Sequence, residues 1–240
     1  MTGKIGKISA IFKKGKKSDP SNYRPVSLTC IACKGLESIS RDDITKFLKN
    51  SRQLTTSQFG FLKGRSTSLQ LLHMLDDWTA ALDMGVPTDV IYFDYQKAFD
   101  TVPHERLLLK LGQYGLSDNV VNWIRAFLTD RKQRVCINGS YSDWVKVTSG
   151  IPQGSVLGPL LFVLYVNDIP SLLDGRSKIL MFADDTKLYR QIRSEDDVKM
   201  LQEDIARLEN WSMEWKLTFH PSKCKKMCIG AKDQPQNNYK

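Results

Sequence analysis

The sequence has no apolar run long enough to cross a membrane. Its longest, Val156 to Val166, is interrupted by Gly158 and Pro159 and is well short of the roughly 20 residues that a span requires, so it reads as a buried helix. The N-terminus is polar and lysine-rich with no apolar core behind it, which excludes a secretory signal and predicts an intracellular protein, in nucleus or cytoplasm. Cysteine is scarce. Five of them, an odd number in a chain without export, predict free thiols and not a disulfide framework. Cys30 and Cys33, with Cys224 and Cys228, have spacings that a zinc site uses, but the first pair begins a helical pattern and neither has the surroundings of a zinc knuckle. Without export, Asn138-Gly139-Ser140 and Asn210-Trp211-Ser212 are coincidental matches to the glycosylation pattern. Repeats and low-complexity blocks are absent, although the first twenty residues and the tail from Lys232 read as loosely structured.

Acidic residues are also in deficit, 26 against 35 Lys and Arg, for a net charge of +9. The imbalance is greatest early, where Lys4, Lys7, Lys13, Lys14, Lys16, Lys17 and Arg24 face Asp19 almost alone. Such a run is either a solvated arm or the footprint of a polyanion, and nucleic acid is the economical partner.

What is present is more specific. Phe93-Asp94-Tyr95-Gln96-Lys97-Ala98-Phe99-Asp100 and, about ninety residues on, Met181-Phe182-Ala183-Asp184-Asp185 each place a carboxylate directly after a short apolar run. Val90 to Phe93 and Ile179 to Ala183 have the β-branched and aromatic content of buried strands. Adjacent Asp184 and Asp185 raise each other's pKa unless a cation or donors compensate. An Asp pair is also an ordinary turn, so the paired motifs, and not either alone, suggest a divalent-cation site. Between them Ser149-Gly150-Ile151-Pro152-Gln153-Gly154-Ser155 leads into the apolar helix.

Elsewhere, Ser66 to Leu82 carries Leu69, Leu72, Leu75 and Leu82 at helical spacing, and His104 to Leu111 follows Pro103 at a good helix start. Ser117-Asp118 opens a helix with Val120, Ile124, Phe127 and Leu128 on one face. Arg134 to Ile137, Asn138-Gly139 and the run through Trp144 to Val147 predict a hairpin. Ser194 to Asp197 starts a long helix with Val198, Leu201, Ile205 and Leu208 inward, and Lys216 to Phe219 reads as a returning strand.

In this order the motifs resemble the reverse transcriptase family, most closely the polymerases of non-LTR retrotransposons of the LINE type. Asn22-Tyr23-Arg24-Pro25-Val26-Ser27-Leu28 and Gln58-Phe59-Gly60-Phe61-Leu62-Lys63-Gly64-Arg65-Ser66-Thr67 look like the two finger motifs. Phe93 to Leu107 looks like motif A, Gly150 to Ser155 like motif B, Phe182 to Asp185 like motif C, and Leu217 to Cys224 like motif D. The resemblance implies an α+β right-hand polymerase of fingers and palm, with a split βαβ palm sheet backed by helices and the thumb absent or truncated. It implies fingers with a basic arm over residues 1–88, a palm over 89–230 with a finger or hairpin insertion near 123–147, and a polar tail at 231–240. The whole forms one domain from about residue 8 to 230, a piece of a longer polyprotein.

The implied chemistry is RNA-directed DNA polymerisation, with RNA template, DNA primer and deoxynucleoside triphosphates as partners. The family uses two Mg²⁺ ions about 4 Å apart, with Mn²⁺ as a substitute. Asp94 and Asp184 would hold them, with Asp185 the accessory ligand. Phe99 matches the aromatic gate beneath the sugar, and Gln153 with Gly154 the contact to the incoming nucleotide. Gly150 and Gly154 would let backbone approach template and substrate. Lys63 or Arg65 would clamp the triphosphate, and Lys223 would protonate the leaving pyrophosphate. Asp168 reads as a capping residue and not a ligand, and His220 stands where relatives usually carry Asn. The rivals are an inactive relic that only binds RNA or template–primer, whose binding would ignore the aspartates, and a group II intron maturase or retron enzyme. Pro103 to Leu107 and the Phe-Ala-Asp-Asp form favour the non-LTR type. Oligomeric state is not legible.

Overall fold

Thr88–Phe93 is almost entirely β-branched or aromatic, and in the computed structural model, which describes residues 4–230 and 237–239, it forms a strand bonded on both sides. In chain order the elements are β1 (Ile5–Phe12), β2 (Tyr23–Leu28), α1 (Ile31–Asn50), α2 (Thr67–Asp83), β3 (Thr88–Phe93), α3 (Ala98–Thr101), α4 (His104–Gln113) and α5 (Asp118–Leu128). Then come β4 (Lys132–Ile137), β5 (Ser140–Tyr141), β6 (Val145–Lys146), α6 (Gly158–Val166), β7 (Lys178–Phe182), β8 (Asp185–Gln191), α7 (Glu195–Trp215) and β9 (Lys225–Ile229). Among the described residues no helix is long and apolar enough to cross a membrane. The chain divides into two units, Met1–Gln53 with Phe99–Leu164, and Leu54–Ala98 with Tyr165–Lys240.

The first unit holds a sheet in the order β2-β1-β4-β5, with β6 also on β4. Asn138 and Gly139 both adopt positive φ, as the tight hairpin turn demands. Ile44, Leu48, Leu107, Leu111, Ile124 and Leu128 on the helices of this unit are all buried, and the Leu161 to Leu164 segment of α6 is fully enclosed. The early arm is not loose as expected. Ile5–Phe12 pairs antiparallel with β2 and parallel with β4, and the parallel partner is more than a hundred residues away, beyond local pattern.

The second unit holds the all-antiparallel sheet β7-β8-β3-β9, the split βαβ order expected of the palm. One face packs Phe59, Met74, Val90, Leu180 and Tyr189 into a common core. α2 contributes Met74 to the same core as Val90 of this sheet. The leucines at helical spacing along α2 are turned out. Leu72 is 61% exposed, while Gln70, Met74 and Ala81 are buried, so a second face of the same helix with Met and Ala took the core. Lys216 to Phe219 is not a strand. α7 ends with Lys216 in the left-handed conformation, only Phe219 bridges to Tyr95, and the strand that returns to β3 is β9. Of the expected tail, 231–236 and 240 lie outside the described residues, whereas Asn237 and Tyr239 donate to the buried Asp89 carboxylate.

Arg190 is almost fully buried and is tied to Asp174 and Asp197, with Asp204 also alongside. Burial acts to raise the Asp174 and Asp197 pKa values, but backbone N–H groups and the Arg190 guanidinium outweigh it and hold both below the usual carboxylate value. Arg190→Leu is expected to cost about 3 kcal/mol in urea denaturation, since the fully buried Asp204 loses a neighbouring cation and the partly exposed Asp174 and Asp197 lose their partner. Depressed carboxylates contribute stability that is present above their unfolded pKa, about 4, and lost as pH falls through the folded values. The wild-type midpoint should therefore decline below about pH 4, and decline less in Arg190→Leu.

Candidate active site

Hairpin β7–β8 turns in two residues. Phe182 pairs with Asp185, which leaves Ala183 and Asp184 as the turn, with Ala183 at φ +56°. The Asp pair is thus a hairpin turn and an acidic strand end at once. Across the sheet Phe93 pairs with Thr186, and extending that register by one residue sets Asp94 beside Asp185. All three carboxylates predicted to bind metal therefore belong to one end of one sheet. Asp94 and Asp184 are half-buried and Asp185 is exposed.

The neighbouring groups favour cations there. Lys223 donates to Asp94 Oδ1 at 3.3 Å. It gets there because the segment before β9 lies along motif A: Gln96 N–H donates to Thr218 O, His220 N–H to Asp94 O, and the Phe219 ring stacks on Tyr95 at 4.7 Å. His220, in place of the usual Asn, still anchors that turn, with Lys223 and Cys224 N–H both donating to its carbonyl. Beneath the carboxylates Tyr95 is fully enclosed. Burial pushes its hydroxyl pKa up, and the negative charge of Asp184 adds to the shift. Burial lowers the Lys187 pKa while Asp185 opposes the change.

Gln58, not singled out from sequence, is completely buried against this turn. Its Oε1 accepts from Gly60 N–H at 2.7 Å and Ala183 N–H at 2.9 Å. Ser57 and Phe59 flank it with backbone bonds to Met181. In the same finger motif Lys63 is exposed, and Arg65 lies over the Phe59 ring at 4.8 Å.

In the first unit, the motif B loop is held by its own glycines. A Cβ on Gly150 would sit 2.6 Å from Asp100 O, and one on Gly154 2.8 Å from Ser27 O, with both residues at positive φ. The close approach expected to serve template and substrate is made here to protein backbone. Gln153 Nε2 donates to Asp100 Oδ1 at 2.8 Å, and the Phe99 ring stacks on Phe162 at 4.5 Å. Two further anchors went unread. Buried His104 bonds Gly150 O through Nε2 at 2.8 Å, and Glu37, 2% exposed, accepts from Val156 and Leu157 N–H just before α6. A lone Glu in a helical run gives no sequence signal, whereas Gln58 stood inside a quoted motif. Asp168 accepts from Trp211 Nε1.

Among the described residues no three His, Cys, Asp or Glu side chains converge as a ready-made metal cage. The donor set nonetheless suits Mg²⁺, which keeps several waters and is held by one or two carboxylates together with substrate phosphates. An ammonium already sits against Asp94, where a cation is called for.

An antiparallel palm sheet with carboxylates at one end defines a polymerase-type chain. Residues 12–239 match the family model for reverse transcriptase (RNA-dependent DNA polymerase), and the chain belongs to that family. It is 33% identical over 95% of its length to the probable RNA-directed DNA polymerase from transposon X-element of Drosophila melanogaster. It is 31% identical over 90% to the RNA-directed DNA polymerase from mobile element jockey of Drosophila funebris. A Pol polyprotein from type-1 retrotransposable element R2 of Popillia japonica is 27% identical over 85%. The chain spans about a quarter of each of these relatives, 26%, 24% and 29%. In fold it is similar to apo telomerase from Candida tropicalis, with TM-score 0.69 over 94% of this chain and 50% of that one at 16% identity.

Gly150→Ala is expected to destabilise the chain by about 2 kcal/mol or more, from the left-handed conformation and the clash with Asp100 together. Gly64→Ala, also at positive φ but with open space around its Cβ, should cost only about 1 kcal/mol in the same thermal melts.

Proposed function

We propose that this chain is the RNA-directed DNA polymerase module of a longer intracellular protein of the non-LTR retrotransposon type, extending a DNA primer on an RNA template from deoxynucleoside triphosphates. The observation that carries the reading is the β3–β8 register, which gathers Asp94, Asp184 and Asp185 at one sheet end beside Lys223. Asp94 and Asp184 would hold two Mg²⁺ ions, with Asp185 the weaker ligand. When bound, the metal pair activates the primer 3′-hydroxyl and neutralises the triphosphate. Lys223, with its ammonium 3.3 Å from Asp94 Oδ1, would be placed to give a proton to departing pyrophosphate. Lys63, exposed and without an ion-pair partner among the described residues, suits a triphosphate clamp better than Arg65, whose guanidinium is engaged by Phe59. In this reading Phe99 gates the sugar, and Gln153, with its amide fixed by Asp100, and Gly154 meet the nucleotide. The curated relatives come from transposons and mobile elements, which supports this type over a maturase or a retron enzyme.

A polynucleotide partner has its own support in the first unit. Lys7 is paired with Arg134 across β1 and β4, and Arg134 lies over the Tyr141 ring at 4.0 Å and the Trp144 ring at 4.6 Å. Lys132 is paired with Lys146 on the same sheet. Exposed cations interleaved with half-exposed aromatics suit a single strand, phosphates on the one and bases on the other.

Primer extension on RNA with Mg²⁺ should fall more than about 100-fold in Asp94→Asn and in Asp184→Asn, and less in Asp185→Asn. Wild-type extension equal to that of an Asp94→Asn, Asp184→Asn double variant would refute the polymerase reading. For binding, replacing the exposed Lys7 and Lys132 with Ala should flatten the dependence of log K on log salt by about 1.4, roughly 0.7 for each lost phosphate contact on a single strand.

A further inference from the structure

We infer that Gln58 is a positioning residue for the acidic turn, holding Ala183 in the conformation that presents Asp184; this rests on the metal-site reading above. Ala183 has φ +56°, a left-handed conformation that residues with a Cβ adopt at a cost. A two-residue hairpin loop has few ways to hold such a residue, and glycine, the usual solution, is absent from this one. The constraint comes from outside the hairpin. Gln58 Oε1 takes the Ala183 N–H and the Gly60 N–H together, so one carboxamide oxygen fixes the turn to the finger-motif backbone. Gly60 is shaped to that turn. A Cβ there would lie 2.4 Å from Ala183 N and 3.0 Å from Phe182 C, so only glycine lets the two backbones approach. The strand edge completes the contact, with Phe59 N–H donating to Met181 O and Met181 N–H to Ser57 O.

The side chain is used on one side only. Gln58 is fully buried, yet its Nε2 has no hydrogen-bond partner among the described residues. An unpaired buried amide donor is costly, and a residue retained for packing alone is better served by Met or Leu. What Gln supplies and those residues lack is the acceptor between two N–H groups, next to Asp184. In metal sites the groups that orient a ligand from behind commonly change affinity by about 10–100-fold when removed.

The test is Mn²⁺ titration of the intact chain followed by electron paramagnetic resonance, comparing wild type with Gln58→Met, Ala183→Gly, the pair combined, and Asp184→Asn. Met preserves volume and removes the acceptor. Binding should weaken about ten-fold in Gln58→Met, and adding Ala183→Gly should recover most of the loss, because glycine accepts the left-handed turn without a clamp. Two results overturn the inference: Gln58→Met within two-fold of wild type while Asp184→Asn has lost the site, or a loss in Gln58→Met that Ala183→Gly leaves unrepaired. If Asp184→Asn binds Mn²⁺ as wild type does, the metal-site reading itself has failed, and the positioning role falls with it. A measurement on the unaltered chain covers a variant that does not fold. The Ala183 and Gly60 amides should exchange slowly with deuterium, and exchange as fast as an open turn would contradict the clamp.

Discussion

Strand β3 is the constraint on which the second unit depends. It is bonded antiparallel on both edges, to β8 and to β9, and its side chains supply both the core and, one residue past its end, Asp94. Because side chains alternate along a strand, a slip of one residue against β8 would exchange the buried and exposed sets. Val90, fully buried beside Phe59, Met74, Leu180 and Tyr189, forbids that slip. The packing of an apolar face thus fixes the place of the Asp94 carboxylate just beyond it. Asp89 anchors the far end of the strand, its buried carboxylate met by Lys226, Cys228, Asn237 and Tyr239.

A second kind of constraint is backbone held against backbone. Gly60 fits against Ala183 and Phe182, Gly150 against Asp100, and Gly154 against Ser27. At each of these places a buried side chain completes the contact: Gln58 at the acidic turn, and His104 and Glu37 along the motif B loop. Motifs that are separate in sequence are in this way made rigid locally, with polar side chains spent on positioning backbone. Few of those side chains need touch a substrate to matter for catalysis.

How much of this was legible depended on whether the information was local. β3, β7, the Asn138-Gly139 hairpin and the enclosed α6 follow from short-range pattern, and Asp94, Asp184 and Asp185 are visible because charge at the mouth of an apolar strand is rare. β1 is not legible because Lys7 and the lysines that flank it mask an alternation that acquires meaning only beside β4. Leu69, Leu72 and Leu75 locate the helix but not its buried side, because helical spacing shows that an apolar stripe exists and not which stripe is covered. The motif D segment was taken for a strand on composition, whereas its backbone is used to bond Asp94 and Gln96 and not to extend the sheet. Glu37 is silent, and the motif that contains Gln58 does not say which of its residues will be buried. A single amide or carboxylate carries no sign that it will end up buried against another segment's N–H groups.

The central claim is that one end of the β7-β8-β3-β9 sheet is a two-metal site, and the most direct measurement is anomalous diffraction from crystals of the chain grown with template–primer, a nucleotide and Mn²⁺. Manganese peaks are expected beside Asp94 and Asp184, and are expected to be lost in Asp184→Asn crystals. Manganese bound elsewhere, with those carboxylates bare, would contradict it.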